Sequence, residues 1–393
     1  MKYAKWMENT GESFIGEMLK AAQNPDMISF AGGLPAHELF PDKVLKHSFQ
    51  RVFEEQGKSA LQYAQTAGHP PLREWLAKQH TRNGKSAKME NVVVTTGSQQ
   101  GLSLLAQTFL DPGDVVFLEM PTYLGAIQAF QAFRAQFRMI PCDDQGIIPE
   151  ELEKMLGEVT PKFLYLIPNY QNPTGKVMGL ARRLQLLRVA QIYNLMIVED
   201  NPYGELRFEG EALPNLVDLG ENVIYLGTFS KVLAPGLRVG YVIADEDIVD
   251  HLCQTKEGVD LHSNNLTQRA VLEFLKEGVL PDHIQTLRTV YKERRQAMVE
   301  SIGKHLGDEV EMIVPSGGLF LWARFKNIAN SFDYVEKTIR QNVLYVPGAL
   351  FYTDQRVTSE VRLNYSCSTP EVIEEGVQRL ARAILGQAST HSL

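Results

Sequence analysis

Cysteine is scarce in this 393-residue chain. Cys142, Cys253 and Cys367 lie far apart, and no Cys-x-x-Cys pair occurs. So few residues at such spacing build neither a disulfide framework nor a zinc site; the pattern suits a reducing cytoplasm, and no metal is expected. Long apolar runs are also missing. Nothing approaches the ~20 residues that a membrane helix needs, and the N-terminus lacks the uninterrupted apolar core of a signal peptide, so no membrane association is expected. Positive charge is in short supply, with a net charge of −8 and no Lys/Arg-rich run. Nucleic-acid binding requires a basic surface that displaces counterions from phosphate, so no nucleic-acid partner is expected. A small anionic substrate remains compatible, because one or two arginines in a cleft outweigh a negative surface.

What is present is the balance of a globular protein, with 44% hydrophobic and 22% charged residues over a length sufficient for two domains. From about residue 90 to 245, short β-rich runs alternate with longer amphipathic stretches. Val92 to Thr96, Asp114 to Leu118, Lys162 to Ile167, Leu195 to Glu199 and Asn222 to Leu226 read as strands. Most are nearly continuous apolar runs, as in a parallel sheet covered on both faces. Helical stretches such as Leu180 to Tyr193 lie between them, and the alternation predicts an α/β fold with a mainly parallel sheet. The C-terminal third changes character. A long helix over Pro281 to Leu306 precedes strands at Leu319 to Ala323, Val343 to Val346 and Glu360 to Tyr365, then a last helix over Pro370 to Leu385. The expected organisation is an N-terminal segment (1–45), a large domain (46–285) and a small α+β domain (286–393).

Ligands of open α/β sheets sit beyond the carboxyl ends of the strands. Polar groups follow five successive strands here: Gly97-Ser98-Gln99, Pro121-Thr122-Tyr123, Asn169 to Gly175, Asp200 to Tyr203, and Thr228 to Lys231. A lysine is ordinarily a solvated surface charge. Lys231, flanked by Phe229, Val232 and Leu233, would instead be desolvated, lose proton affinity and become a nucleophile toward an aldehyde. Ser230 and Arg238 are suited to gripping a phosphate dianion, and Ser98 opens a helix whose free N–H groups favour an anion, although Ser98 could equally be a plain N-cap. Asp200 could cap a turn, or face a pyridine nitrogen and keep it protonated. Asn172 and Tyr203 could donate to a ring phenolate, and Tyr123 could stack on the ring. Arg362 either lies outward on a strand or points inward and requires a carboxylate partner.

The ordered motifs TTGSQQGL (95–102), PTYLG (121–125), PNYQNPTG (168–175), VEDNPYGEL (198–206), GTFSKVLAPGLRVGY (227–241) and VRLNYS (361–366) resemble those of fold type I pyridoxal-phosphate aminotransferases. The likeness runs from about Ile28 to Leu385. ISFAGGLPAHELFP (28–41) and LQYAQTAGHPPLREWL (61–76) are similar to the branch of 2-aminoadipate, kynurenine and multi-substrate aminotransferases. The resemblance implies a large domain with a mainly parallel, seven-stranded sheet flanked by helices and a smaller α+β C-terminal domain, pyridoxal 5′-phosphate as cofactor, and amino acids and 2-oxo acids as substrates. It makes Lys231 the Schiff-base lysine and proton shuttle on the way to the ketimine, Asp200 the partner of the pyridine nitrogen and Tyr123 the stacking ring. Asn172 and Tyr203 would hold the phenolate oxygen, while Ser98, Gln99, Ser230 and Arg238 bind phosphate. Arg362 would clamp the substrate carboxylate, with the Gly33 backbone closing over it. Tyr63 would reach the phosphate of a neighbouring subunit, which implies a homodimer with shared sites.

One departure bears on the substrate. Aminoadipate-handling members carry an arginine shortly before the FAGGLP segment, where this chain offers Gly16 beside Phe14 and Ile15. Without that cation a second carboxylate is costly to bury, which tilts the expectation toward neutral aliphatic or aromatic amino acids, with 2-aminoadipate kept as the alternative. Two other readings keep the cofactor: β-elimination or decarboxylation, and the ligand-sensing domain of a transcription regulator. FAGGLP begins by residue 30 of this sequence, so no helix-turn-helix module is expected before it.

Overall fold

A computed structural model of the chain describes Met7 and residues 24–82, 84–354 and 356–386. Runs of apolar β-formers make the strands of its main sheet. Val92–Thr95, Phe163–Leu166 and Ile197–Asp200 are buried at every position, because helices cover both faces. The strand order is Val92–Thr95, Gly240–Ile243, Val223–Thr228, Ile197–Asp200, Phe163–Leu166, Val115–Met120, Gln136–Asp143 and the two-residue Gly146–Ile147. Neighbours from Val223–Thr228 through Gln136–Asp143 are parallel, whereas Gly240–Ile243 runs antiparallel to both of its neighbours. Seven strands make the body of the sheet, as the family resemblance implies, and the eighth is an antiparallel return at the edge.

The five strands read from the sequence are all present, within a few residues at each end. Two others were not legible as continuous apolar runs. Gln136–Asp143 is nearly an edge strand whose first four positions alternate between exposed and partly buried, and Gly240–Ile243 is short and opens on glycine. The carboxyl ends of the strands deliver the polar stations to one rim. Asp200 is the last residue of its strand, and Pro121 and Phe229 follow directly on theirs, with Gly97 one residue further on.

A four-stranded antiparallel sheet follows, ordered Val310–Ile313, Phe320–Phe325, Glu360–Asn364 and Val346–Pro347. The expected strand over Val343 to Val346 divides at Tyr345. Val343–Leu344 pairs in parallel with Ile28–Ser29, while Val346–Pro347 joins Glu360–Asn364. The N-terminal segment is thereby tied to the C-terminal unit. The helices Leu280–His305 and Pro370–Leu385 pack together, and residue 285, the expected boundary, lies near the start of the first. Pro370–Leu385 begins where its sequence signals place it, with Thr369 accepting from Val372 N and Pro370 in the first turn. Its buried stripe, Ile373, Val377 and Leu380, contributes roughly 1.5–3 kcal/mol per side chain removed from water. Among the described residues, no helix is long and apolar enough to cross a membrane.

Candidate active site

At the rim of the large sheet, between it and the C-terminal unit, lies a cavity of about 540 Å³. Gly33, Ser98, Gln99, Tyr123, Asn172, Asp200, Tyr203, Ser230, Lys231, Arg238 and Arg362 all line it. Tyr63 does not. Its side chain is 77% exposed and meets the edge of the His262 ring at 5.8 Å. Phe14, Ile15 and Gly16, named above for substrate choice, lie outside the described residues. A larger cavity of about 650 Å³ lies beside His80, Tyr225 and Tyr241 but holds none of these residues, so the chemistry assigns the site to the smaller one.

The floor of the cavity carries a carboxyl and an amine. Asp200 is 2% exposed, and Tyr165, equally buried on the adjacent strand, donates its hydroxyl to Oδ2 at 2.8 Å. Oδ1 has no hydrogen-bond partner among the described residues. Burial pushes the Asp200 carboxyl up to about 7, against the Tyr165 hydrogen bond and the charge of Lys231. Lys231 Nζ donates to the Gly33 carbonyl at 2.7 Å. Desolvation, followed by the charges of Arg362 and Arg238, pulls the lysine down to about 8. An amine that shares its proton near neutral pH is both nucleophile and base.

At one end, the turn after Val92–Thr95 meets the turn bearing Arg238. Gly97 sits at φ +78°, and a Cβ there would lie 2.3 Å from Arg238 Nη2. Gly240 is equally constrained, because its Cβ would fall 2.6 Å from Ser98 N. The two glycines let the guanidinium and the start of the helix Ser98–Phe109 approach one another, and Arg238 Nη2 donates to Thr96 O at 3.1 Å. Thr228 Oγ1 accepts from Ser230 N at 3.1 Å, which orders the Ser230 turn. Free helix N–H groups, a serine and an arginine make an anion cradle.

At the other end Arg362 points inward, at 8% exposure. Its Nη1 donates to Asn172 Oδ1 at 2.9 Å and its Nη2 to the Ala31 carbonyl at 2.6 Å. The guanidinium lies over Phe320 at 4.2 Å and Phe351 at 5.1 Å, and its Nε is a second buried polar atom with no partner among the described residues. Asn172 Nδ2 donates to the Tyr203 hydroxyl at 3.3 Å. Burial raises the Tyr203 phenol, which stays neutral at ordinary pH. Tyr123 is oriented through its hydroxyl to Gln99 Oε1 at 3.3 Å, and Gln99 Nε2 donates to Gly125 O at 2.8 Å.

Sequence reasoning missed Tyr165, Phe320 and Phe351. Tyr165 sits in the run FLYL and reads as core, with no local signal that its hydroxyl finds a carboxylate. Phe320 and Phe351 come from the distant C-terminal unit, so only the tertiary fold sets them against Arg362.

The donor set fits pyridoxal 5′-phosphate. A ring N–H is the complement of Asp200 Oδ1, and the Gly97–Arg238 cradle, which a Cβ would fill, suits the phosphate. Comparison with known proteins agrees. The class I and II aminotransferase family matches residues 25–380. The 2-aminoadipate transaminase of Thermus thermophilus is 40% identical over 98% of this chain and 99% of its own. The aromatic-amino-acid aminotransferase 1 of Thermococcus litoralis is 40% identical over 95% and 91%. The crystal structure of the Thermus thermophilus α-aminoadipate aminotransferase, complexed with N-(5′-phosphopyridoxyl)-L-leucine, superposes with a TM-score of 0.91 at 40% identity, covering 98% of this chain and 97% of that one. The chain accordingly belongs to the class I and II aminotransferases, the fold type I enzymes that work with pyridoxal 5′-phosphate.

Proposed function

We propose that the protein transfers the α-amino group of a neutral aliphatic or aromatic amino acid to a 2-oxo acid such as 2-oxoglutarate. The observation that carries the substrate class is the set of cations lining the cavity. Among the described residues these are Lys231, Arg238 and Arg362 alone. Lys231 is committed first to the cofactor and then to the Cα proton, Arg238 to the phosphate, and Arg362 to the substrate α-carboxylate. Among these described residues none is left for a carboxylate on the substrate side chain, and an uncompensated buried charge is costly. Leu34, Leu124, Val346 and Phe351 supply apolar wall instead. The Thermus thermophilus relative, named for 2-aminoadipate, was solved with a phosphopyridoxyl-leucine, which supports a neutral aliphatic side chain as a fitting occupant.

Bound pyridoxal 5′-phosphate supplies an electron sink that draws charge from the substrate Cα as its C–H bond breaks. Ser98, Gln99, Ser230 and Arg238 hold the phosphate, Tyr123 covers one ring face, and Asn172 and Tyr203 bond the ring oxygen. Asp200 keeps the ring nitrogen protonated. Arg362 clamps the substrate carboxylate and turns Cα toward Lys231, while the Gly33 backbone covers the substrate. Lys231 Nζ takes the Cα proton and returns it one position along, a role suited to an amine brought down to about 8. The reading includes a homodimer. Tyr63 lies outside its own cavity, 77% exposed beside His262, and Leu61 and Leu261 nearby are 70% and 50% exposed, so the tyrosine is free to reach the phosphate site of a second copy.

The test is a ranking of kcat/KM with 2-oxoglutarate as acceptor, across leucine, phenylalanine, tyrosine, kynurenine, glutamate and 2-aminoadipate. The proposal expects the neutral donors to lead. A profile dominated by 2-aminoadipate or glutamate contradicts it, and release of ammonia without any need for an acceptor contradicts transamination.

A further inference from the structure

Tyr165 belongs to the strand Phe163–Leu166, whose neighbour in the sheet ends on Asp200. The register pairs Tyr165 with Val198, two residues before Asp200, so both side chains leave the same face of the sheet. Tyr165 is fully buried, and its ring is held edge-on against Phe130 at 5.7 Å. The hydroxyl donates to Asp200 Oδ2 at 2.8 Å. A buried tyrosine ordinarily finds some partner, and the plain reading is that Asp200 satisfies Tyr165. Two observations turn the dependence around. The carboxyl keeps a second oxygen, Oδ1, without a partner among the described residues, and a buried carboxylate is the costlier of the two groups to leave short of donors. Four ionisable side chains face it: Tyr165, Lys231 from the turn after Val223–Thr228, Tyr123 from the turn after Val115–Met120, and Tyr203 from its own turn. Among these, Tyr165 is the one that donates to it directly.

We propose that Tyr165 is a positioning residue for Asp200: it occupies Oδ2, fixes the carboxylate plane and leaves Oδ1 as the oxygen presented to the cofactor ring nitrogen. The inference rests on the reading of Asp200 given above. It implies a second role for the same contact. A donor to the charged form stabilises that form, so the Tyr165 hydroxyl opposes the burial that drives Asp200 toward neutrality. Without it the carboxyl is protonated over more of the working pH range and no longer opposes the charge of a ring N–H.

The experiment uses the holoenzyme of Tyr165→Phe, which removes one oxygen and leaves the ring packing in place. The rate at which a single amino acid discharges the visible cofactor band, without 2-oxo acid, is followed against pH. A lost hydrogen bond to a charged group lowers the plateau rate by ~10- to 100-fold, while KM moves by less than about threefold. The acid limb of the profile moves upward by about one pH unit, because the carboxyl now holds its proton more tightly. A purely structural role does not move that limb. Tyr165→Phe combined with Asp200→Asn reacts no more slowly than Asp200→Asn alone, because the tyrosine acts through the carboxylate. A wild-type rate and pH profile in Tyr165→Phe, or a further loss in the double variant, overturns the proposal. If Asp200→Asn itself keeps the wild-type rate, the assignment of Asp200 to the ring nitrogen falls, and this proposal with it; a neutral Tyr165→Phe beside an inactive Asp200→Asn overturns the tyrosine alone.

Discussion

Arg362 and Asn172, 190 residues apart in sequence, are joined by a hydrogen bond of 2.9 Å from Nη1 to Oδ1. Asn172 in turn donates to Tyr203, so the arginine proposed for the substrate carboxylate and the tyrosine proposed for the cofactor ring share one amide. Arg362→Lys offers a single ammonium in place of a planar fork and cannot hold Asn172, the Ala31 carbonyl and a carboxylate in the same geometry. The expected result is a fall in kcat/KM on the order of 100-fold, with a raised KM as its main part. Steady-state kinetics with the best neutral donor measures it. An unchanged KM removes Arg362 from the substrate.

Gly97→Ala tests the phosphate end. The position has φ +78°, and the added methyl would stand 2.3 Å from Arg238 Nη2, so the guanidinium must leave or the turn must open. A side chain in this backbone region costs about 1–3 kcal/mol. Cofactor affinity is expected to fall by about tenfold or more, as an energy of that size implies. Fluorescence titration of the apoprotein with pyridoxal 5′-phosphate reads the change, and wild-type affinity would remove the cradle from the account.

Tyr63→Ala tests the shared site. Alone it should weaken cofactor binding although it touches nothing in its own cavity. Mixed and refolded with Lys231→Ala, it should regain activity, because one site of the mixed dimer combines an intact Lys231 with an intact Tyr63 from the partner subunit. Failure to complement, in a protein that sediments as a monomer, contradicts the homodimer.

Glu119 gives a stability prediction with a definite sign. It is 2% exposed, accepts from Ile167 N at 2.9 Å and from Gln171 Nε2 at 3.3 Å, and burial pushes its carboxyl up to about 8. A folded-state value raised above the unfolded one contributes stability that is full below about 4.5 and is lost as pH rises through about 8. Glu119→Gln keeps an acceptor oxygen and removes the ionisation. Its melting temperature should therefore exceed the wild type's at pH 8.5 and converge toward it near pH 5. The opposite slope means that the carboxylate is stabilised in the folded state by something other than these two donors.

Much of this architecture was readable in advance because its signals are local. The buried parallel strands are short apolar runs, and each rim station lies within a few residues of its strand's end, so Ser98, Asp200, Ser230 and Lys231 could be named from spacing and residue chemistry. Arg362 was legible only as a question. An arginine within VRLN faces either way on a strand, and its direction depends on the register with Phe320–Phe325, which no local pattern carries. Tyr165 was invisible for a related reason, because its hydroxyl acquires meaning only when two strands pair and bring Asp200 onto its face. The strand Gln136–Asp143 escaped notice because it is partly exposed, with Gln136 and Arg138 outward, and does not run apolar throughout.

The central claim is that Lys231 carries the cofactor and that the chemistry is amino-group transfer. The most direct measurement is the absorbance spectrum of the wild type and of Lys231→Ala, each loaded with pyridoxal 5′-phosphate, before and after adding leucine or phenylalanine without a 2-oxo acid. The account predicts a visible band in the wild type that the amino acid converts to a near-ultraviolet band and that 2-oxoglutarate restores, with no such cycle in the variant. A visible band that persists in the wild type while a keto acid or ammonia accumulates, or a full cycle in Lys231→Ala, would contradict it.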